Sequence, residues 1–516
     1  MNYFKKPKFT YLLIIVGFMV GACESSLVQD EPSVSLESDE EVNGRQFDLN
    51  QLPEITDFSN LRVGDFTGRY LIVSKSEKIT KNIESEIAKA GGEVVKTYPQ
   101  IGVLVAVSHA ADFLDKSRKI SSIESVTPDL ILQYTKNPEQ EIVVENDFNS
   151  SEIGTPFNYQ SAFFDGFQWA PQSIDAPAAW SNGNTGEGVR VAIIDGGIYS
   201  AHVDLAPNLD VASSISTVPG FAWNQDTGTF WHGTHVAGIV AASGLGIVGI
   251  APKATLIGVK SLHSGTGAFE WVLDGMFYAA TPQSLGGGGA DIINMSLGAT
   301  IDFRTDWKLK EFRDEIKELQ KIFDRVSRYA YQNGVTIIVA AGNDGLNLDT
   351  SKDYVVIPAQ NQHILSIGST GPTGWQLGET NFTDPAYYTN SGKSGVDFSA
   401  PGGSAGLFVV DGNTSICELI GTNVSLSTSC YVFDMVFSTV RGTNSFSTYG
   451  WAQGTSMAAP AAAGVAALII EANGGKMHPA QLKAKLANSA TDLGKPGNDE
   501  FYGAGFVNAA KAVGLD

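Results

Sequence analysis

Cysteine is scarce in this 516-residue chain, with residues only at 23, 417 and 430. Cys417 and Cys430 lie in a Gly/Ser/Thr-rich stretch with no histidine nearby, so a local disulfide is favoured over a metal site. Positive charge is short as well: 34 Lys and Arg stand against 55 Asp and Glu, a net charge of −21. That balance excludes nucleic acid and anionic membrane as electrostatic partners, because both need a basic face. No repeat of solenoid period is present. Glycine is abundant at 56 residues, but without a three-residue period, which excludes collagen. Apolar residues make up 43% and charged residues 17%, enough core material to exclude wholesale disorder. The length suggests roughly three domains.

The beginning of the chain reads as an address. Lys5, Lys6 and Lys8 precede an apolar run over residues 11–20, followed by Gly21-Ala22-Cys23. A basic start, a short apolar stretch and small residues make a secretory signal, and the run is too short for a membrane span. Val20-Gly21-Ala22-Cys23 resembles a bacterial lipobox. The resemblance implies acylation of Cys23, and multiple acyl chains anchor durably where one does not. Export also implies an oxidising surrounding for Cys417 and Cys430.

Composition then divides the chain: a signal over 1–22, an acidic tether over 23–65, a small α+β segment over 66–135, an exposed irregular linker over 136–170, and the remainder over 171–516. In the α+β segment, strands are expected near 70–73, 93–97, 101–107 and 122–134, with helices over 79–90, stopped by Gly91-Gly92, and 110–116. Beyond Trp180, continuous apolar runs at 189–194, 255–259, 292–297, 335–341 and 364–368 suit strands buried on both faces of a parallel sheet. They alternate with helical patterns over 236–242, 269–280 and 308–333, pointing to a three-layer α/β/α domain with a mostly parallel sheet.

Four segments carry candidate chemistry. Asp195 ends the run Val191-Ala192-Ile193-Ile194, where α/β sheets place working residues; a structural Asp capping a turn is the alternative. His232 opens His232-Gly233-Thr234-His235-Val236-Ala237-Gly238. His232 and His235 are three apart, a metal-pair spacing, but there is no His-Glu-x-x-His pattern and no third ligand cluster. His235 is expected to be a packed helix residue. Ser456, in Gly454-Thr455-Ser456-Met457-Ala458-Ala459-Pro460, stands at a helix N-terminus, where it is either a cap or a hydroxyl placed where the dipole favours developing negative charge. Asn343, in Ala341-Gly342-Asn343-Asp344-Gly345, is either a turn residue or an oxyanion donor.

Together, the three motifs around Asp195, His232 and Ser456 resemble those of the subtilisin-like serine proteases, from about Trp180 onward. The resemblance implies a serine endopeptidase with a catalytic triad of Asp195, His232 and Ser456 and an oxyanion hole at Asn343. It implies substrate-binding edges at Gly265 and Gly267 on one side and Ser296, Leu297 and Gly298 on the other, gripping a protein or peptide as an extended strand. Phe269 and Leu297 would favour apolar subsites. Residues 66–135 resemble the family's inhibitor-like, ferredoxin-like propeptide, which makes the protein a self-processed zymogen with its own prodomain as inhibitor. Cleavage between about 135 and 175 would free the protease from its lipid. An exported, membrane-anchored lipoprotein, periplasmic or at the cell surface, monomeric and with no nucleic-acid partner, is expected. The chemistry requires no cofactor. Asp204 retains the carboxylate of the family's calcium site, but residues 241–249 are shorter than its loop, so calcium has weak support and no metal ligand is assigned. The span 403–450 is long and holds both remaining cysteines, as a surface insertion would; the stretch 302–323 is also extended. The end, near 503–510, resembles the family's last turn, and no further domain is expected. Ser456 lacks the Gly-x-Ser-x-Gly of α/β-hydrolases, His232 argues against a serine-carboxyl peptidase, and a pseudoprotease would have lost one of the four residues.

Overall fold

Buried, β-branched strands build the centre of the molecule, as in Arg190–Asp195 (RVAIID), where only the first residue is partly exposed. The computed structural model describes residues 62–135, 144–147, 164–228, 230–304, 310–420, 425–442 and 446–515, all within one unit spanning Leu49–Asp516. The signal, Cys23 and the start of the tether lie outside the described residues.

Seven strands form the main sheet, in the spatial order Phe398–Pro401, Ile364–Thr370, Thr336–Ala340, Ile292–Met295, Arg190–Asp195, Thr255–Lys260 and Ile215–Ser216. Their pairings are parallel, so all C-terminal ends point to one edge. Helices His232–Ala241 and Thr455–Ala472 pack on each other and on the sheet, while helices Phe269–Ala280 and Lys310–Gln332 pair with each other and also reach it. The three-layer α/β/α arrangement is therefore present. The helix Thr455–Ala472 is apolar enough to cross a membrane by length and composition, yet it is buried. Gly464 allows a close approach: a Cβ there would lie 2.4 Å from the Ile250 side chain.

Residues 66–133 form a second, antiparallel sheet. Its order is Glu93–Tyr98, Val103–Val107, Phe66–Ser74 and Ile123–Gln133, with helices Ile83–Ala90 and Phe113–Ser117 between them in sequence, a ferredoxin-like β-α-β-β-α-β path. The helix Ile83–Ala90 stops at Gly91, which takes φ +98° and returns its N–H to Ala88 and Ile87 carbonyls. A fifth strand, Thr266–Ala268, joins this sheet from the larger one's connections and pairs with Ile131–Gln133.

Within the stretch read as an exposed linker, Val144–Asp147 pairs with Thr448–Trp451, and Phe167 and Trp169 are buried. The partner strand lies some 300 residues away, which short-range pattern does not reveal. In the insertion, Ile416–Ile420 and Ser425–Ser429 form a hairpin closed by a Cys417–Cys430 disulfide.

Candidate active site

Asp195 ends the central strand with its side chain almost wholly buried. Its Oδ1 accepts from the Gly196 N–H at 2.6 Å, and its Oδ2 lies 2.8 Å from His232 Nδ1, a pairing that suits the tautomer in which Nδ1–H donates to the carboxylate. His232 begins the helix His232–Ala241, after Trp231 at φ +48°. The glycine that follows has a local reason. A Cβ on Gly233 would lie 2.6 Å from the Gly197 carbonyl oxygen and 2.9 Å from Asp195 Cβ, so a side chain there would push the two apart.

Ser456 stands in the first turn of Thr455–Ala472, after Gly454 at φ +154°. It is held reciprocally by Ser296: Ser456 Oγ donates to the Ser296 carbonyl at 3.2 Å, and Ser296 Oγ donates to the Ser456 carbonyl at 2.7 Å. Asn294 Nδ2 in turn donates to Ser296 Oγ at 3.0 Å. Asn343 follows the strand Thr336–Ala340, and its Oδ1 accepts from both the Thr455 N–H and Oγ1–H, each at 2.8 Å. Thr455 therefore fixes the Asn343 amide oxygen, which orients the amide nitrogen the other way. A cavity of about 180 Å³ is lined by Leu297, Gly298, Asn343, Thr455 and Ser456 on one side and by Gln133, Tyr134 and Thr135 on the other. A larger space, about 540 Å³, lies in the seam between the two sheets beside Glu270 and Asp274 and does not include Ser456.

The structure thus joins Asp195 with His232, and Ser456 with Ser296 and, through Thr455, Asn343. Both His232 and Ser456 stand at N-termini of adjacent helices. Gly265, Gly267 and Gly298 meet the chain's own segment. Leu132 pairs with Gly267, the Tyr134 and Thr135 N–H groups donate to the Gly265 carbonyl at 3.0 and 3.1 Å, and Gly298 N–H donates to the Tyr134 carbonyl at 2.7 Å. Residues 131–135 are therefore clamped from both rims as an extended strand. Phe269 is not a cleft residue: it is fully buried, with its ring 4.4 Å from that of Phe323, whereas Leu297 lines the cavity.

His235 is fully buried and hydrogen-bonds through Nε2 to the Val436 and Gly450 carbonyls at 3.1 and 3.2 Å. Burial pushes its pKa down to about 3, so it is a neutral packing residue whose Nε2 is held by main-chain carbonyls. The calcium position also fails a chemical test. The fully buried Asp204 carboxylate accepts from Leu245, Gly246 and Ile247 N–H at 2.7, 2.9 and 3.1 Å, from Ser243 Oγ at 3.1 Å and from Tyr449 Oη at 2.8 Å. A cation needs oxygen lone pairs turned inward, and here N–H and O–H donors surround the carboxylate instead. The residues present do not fit the ion.

Three residues at the site escape sequence reasoning. Thr455 reads as a neighbour of the nucleophile candidate, not as the holder of Asn343. Lys260 and Asp226, buried behind Asp195, carry no motif beyond being charges inside apolar surroundings.

Comparison with known proteins agrees with this geometry. The Subtilase family matches residues 186–505. Subtilisin E of Bacillus subtilis is 32% identical over 347 residues, covering 66% of this chain and 69% of that protein. M-protease of Shouchella clausii is 28% identical over 458 residues, covering 86% of this chain and 98% of that one. Among solved structures, a lanthipeptide protease aligns with a TM-score of 0.53 at 26% identity, over 68% of this chain and 94% of its own. The epidermin leader peptide processing serine protease of Staphylococcus aureus shares the fold, with a TM-score of 0.63 at 21% identity over 86% and 97% of the two chains. Family match, fold and assembled side chains lead to one conclusion: this chain belongs to the subtilase family and is a serine endopeptidase.

Proposed function

We propose that the protein is made as an exported zymogen that cuts itself and then hydrolyses peptide bonds through Asp195, His232 and Ser456. Rotation of the Ser456 side chain away from the Ser296 carbonyl would bring its Oγ toward His232 Nε2, which takes the proton as Oγ attacks the substrate carbonyl. Asp195, accepting from His232 Nδ1–H, holds the reactive tautomer and stabilises the imidazolium. The new oxyanion is met by Asn343 Nδ2 and the Ser456 backbone N–H, and losing one such donor costs about 3 kcal/mol in the transition state. His232 then returns its proton to the leaving amine. Water, deprotonated by the same imidazole, resolves the acyl-enzyme.

The observation that carries the zymogen reading is the strand 131–135, laid between Thr266–Ala268 and Gly298 as a bound substrate would be. Residues 66–135 act as inhibitor until cut. Export and a lipid on Cys23 rest on the N-terminal signal, and the cut, placed between about 135 and 175, separates the protease from that anchor. The protease is proposed to act as a monomer. N-terminal sequencing of full-length chain expressed as wild type and as Ser456→Ala tests this. The wild type should begin beyond residue 135 or so and the variant should stay joined. A purified Ser456→Ala protein that cuts itself at the same bond, or an active wild type still carrying the acylated N-terminus covalently, overturns the reading.

A further inference from the structure

Behind the Asp195–His232 couple lies a charged pair that the catalytic scheme does not use. Lys260 ends the strand Thr255–Lys260, directly beside Asp195 in parallel register, and its side chain is fully buried. A buried ammonium has a large desolvation cost unless its donors and charge are matched. Here Nζ donates to the Gly196 carbonyl and, at 2.7 Å, to the Leu262 carbonyl, and it lies 3.8 Å from Asp226 Oδ1. Each contact leads back to Asp195. Gly196 is the residue whose N–H holds Asp195 Oδ1. The Ser261 and Leu262 N–H groups donate to the Asp195 carbonyl at 2.8 and 3.2 Å. Asp226 closes the other side, since a Cβ on Gly196 would lie 2.3 Å from its Oδ2.

We propose that Lys260 and Asp226 form a buried positioning pair that pins the Asp195–Gly196 turn and sets, by opposite contributions, the proton affinity of the Asp195–His232 couple. This rests on the catalytic assignment of His232 made above. Burial lowers the Lys260 ammonium from its ordinary range, while the Asp226 and Asp195 carboxylates oppose that shift. Burial raises Asp226 to about 6, with the Lys260 charge opposing. The other titratable groups around the couple contribute no competing switch. His263 lies 3.9 Å from Asp226 and is lowered by burial to about 4, and His235 is also neutral. Arg441 lies over the Trp231 ring at the surface, where its charge is screened.

The signs follow from electrostatics. The ammonium of Lys260 disfavours the imidazolium of His232, and the carboxylate of Asp226 favours it. The test is the pH profile of kcat/KM for peptide hydrolysis by enzyme matured from the full chain, whose acid limb reports the essential base. Asp226→Asn should move the acid limb to lower pH, on the order of half a pH unit; Lys260→Met, which also leaves Asp226 without its counter-charge and drives that carboxyl toward its neutral form, should move the limb by less, and Lys260→Arg should hold it near wild type. A pair with only a structural role would lower Tm in these variants and leave the limb in place. A limb that stays in place or moves to higher pH in Asp226→Asn, or one displaced further in Lys260→Met than in Asp226→Asn, overturns the inference. If Lys260→Met yields no folded enzyme, Asp226→Asn decides alone: a limb moved down supports the pair, and an unmoved one refutes it. Full activity in His232→Gln would instead sink the catalytic assignment beneath it.

Discussion

Asp129 should make the hold of residues 62–135 on the protease depend on pH. This carboxyl is fully buried where the antiparallel sheet meets the helix Phe269–Ala280. Its Oδ1 accepts from Glu270 N–H at 2.9 Å, in the first turn of the helix Phe269–Ala280, and its Oδ2 accepts from Thr67 Oγ1 at 2.8 Å. Arg69 is bound to the neighbouring Glu270 at 2.8 and 3.0 Å, so it does not neutralise Asp129 directly. Burial, with the Glu270 charge adding to it, pushes Asp129 from 3.8 up to about 7. Once the segment leaves, the carboxyl is solvated and returns to an ordinary value near 4. The bound state therefore carries a proton that the free segment lacks between those limits. Association is tightest in acid, weakens as pH rises from about 4 toward 7, and levels off above that. One proton allows at most about a tenfold change per pH unit, or ~1.4 kcal/mol, and Asp274 and Glu315, also raised by burial at this seam, act in the same direction. The assay is the inhibition constant of added 62–135 segment against processed protease at pH 5, 6, 7 and 8. Asp129→Asn, neutral at every pH, should flatten the rise between pH 5 and 7 by up to tenfold per unit. An unchanged slope in that variant, or tighter inhibition with rising pH in the wild type, refutes the reasoning.

Four further substitutions have expected outcomes. Asn343→Ala should lower kcat by about 10²–10³-fold with KM little changed, while Thr455→Val, which removes one of the two donors holding the Asn343 oxygen, should cost about tenfold; steady-state kinetics on a peptide checks both. Asp204→Asn should destabilise the protein by about 2–3 kcal/mol, because the amide turns a donor toward donors, and Tm should be the same in EDTA and in millimolar calcium; a calcium-raised Tm would contradict the N–H-lined cradle. Gly265→Ala should weaken inhibition by the 62–135 segment by tenfold or so, since the position has φ +77° and a Cβ would lie 2.5 Å from Thr135 Oγ1; an unchanged inhibition constant would show that the clamp tolerates it.

Local pattern made much of the architecture legible. The helix Phe269–Ala280 ends where its periodicity ends, and the buried strands at 190–195, 255–260 and 336–340 follow from runs of β-branched residues. The motif glycines are legible too, because Gly233 is required by the closeness of Asp195. What was illegible depends on distant partners. Val144–Asp147 becomes a strand only against Thr448–Trp451. Phe269 reads as a cleft residue from its place after Gly267 and Ala268, but it opens a helix whose first turn faces Phe323. Asp204 keeps the family's carboxylate while its shortened loop supplies amide protons, a reversal that only coordinates reveal. Thr455, Lys260 and Asp226 act through Asn343 and Asp195, and no periodicity marks a residue that acts through another.

In the proposed mechanism Ser456 is a nucleophile activated by His232. Labelling the processed protein with a fluorophosphonate and mapping the modified peptide tests it most directly. A single adduct is expected on Ser456 Oγ, lost in Ser456→Ala and strongly slowed in His232→Ala; an adduct elsewhere, or labelling at wild-type rate without His232, would contradict this role.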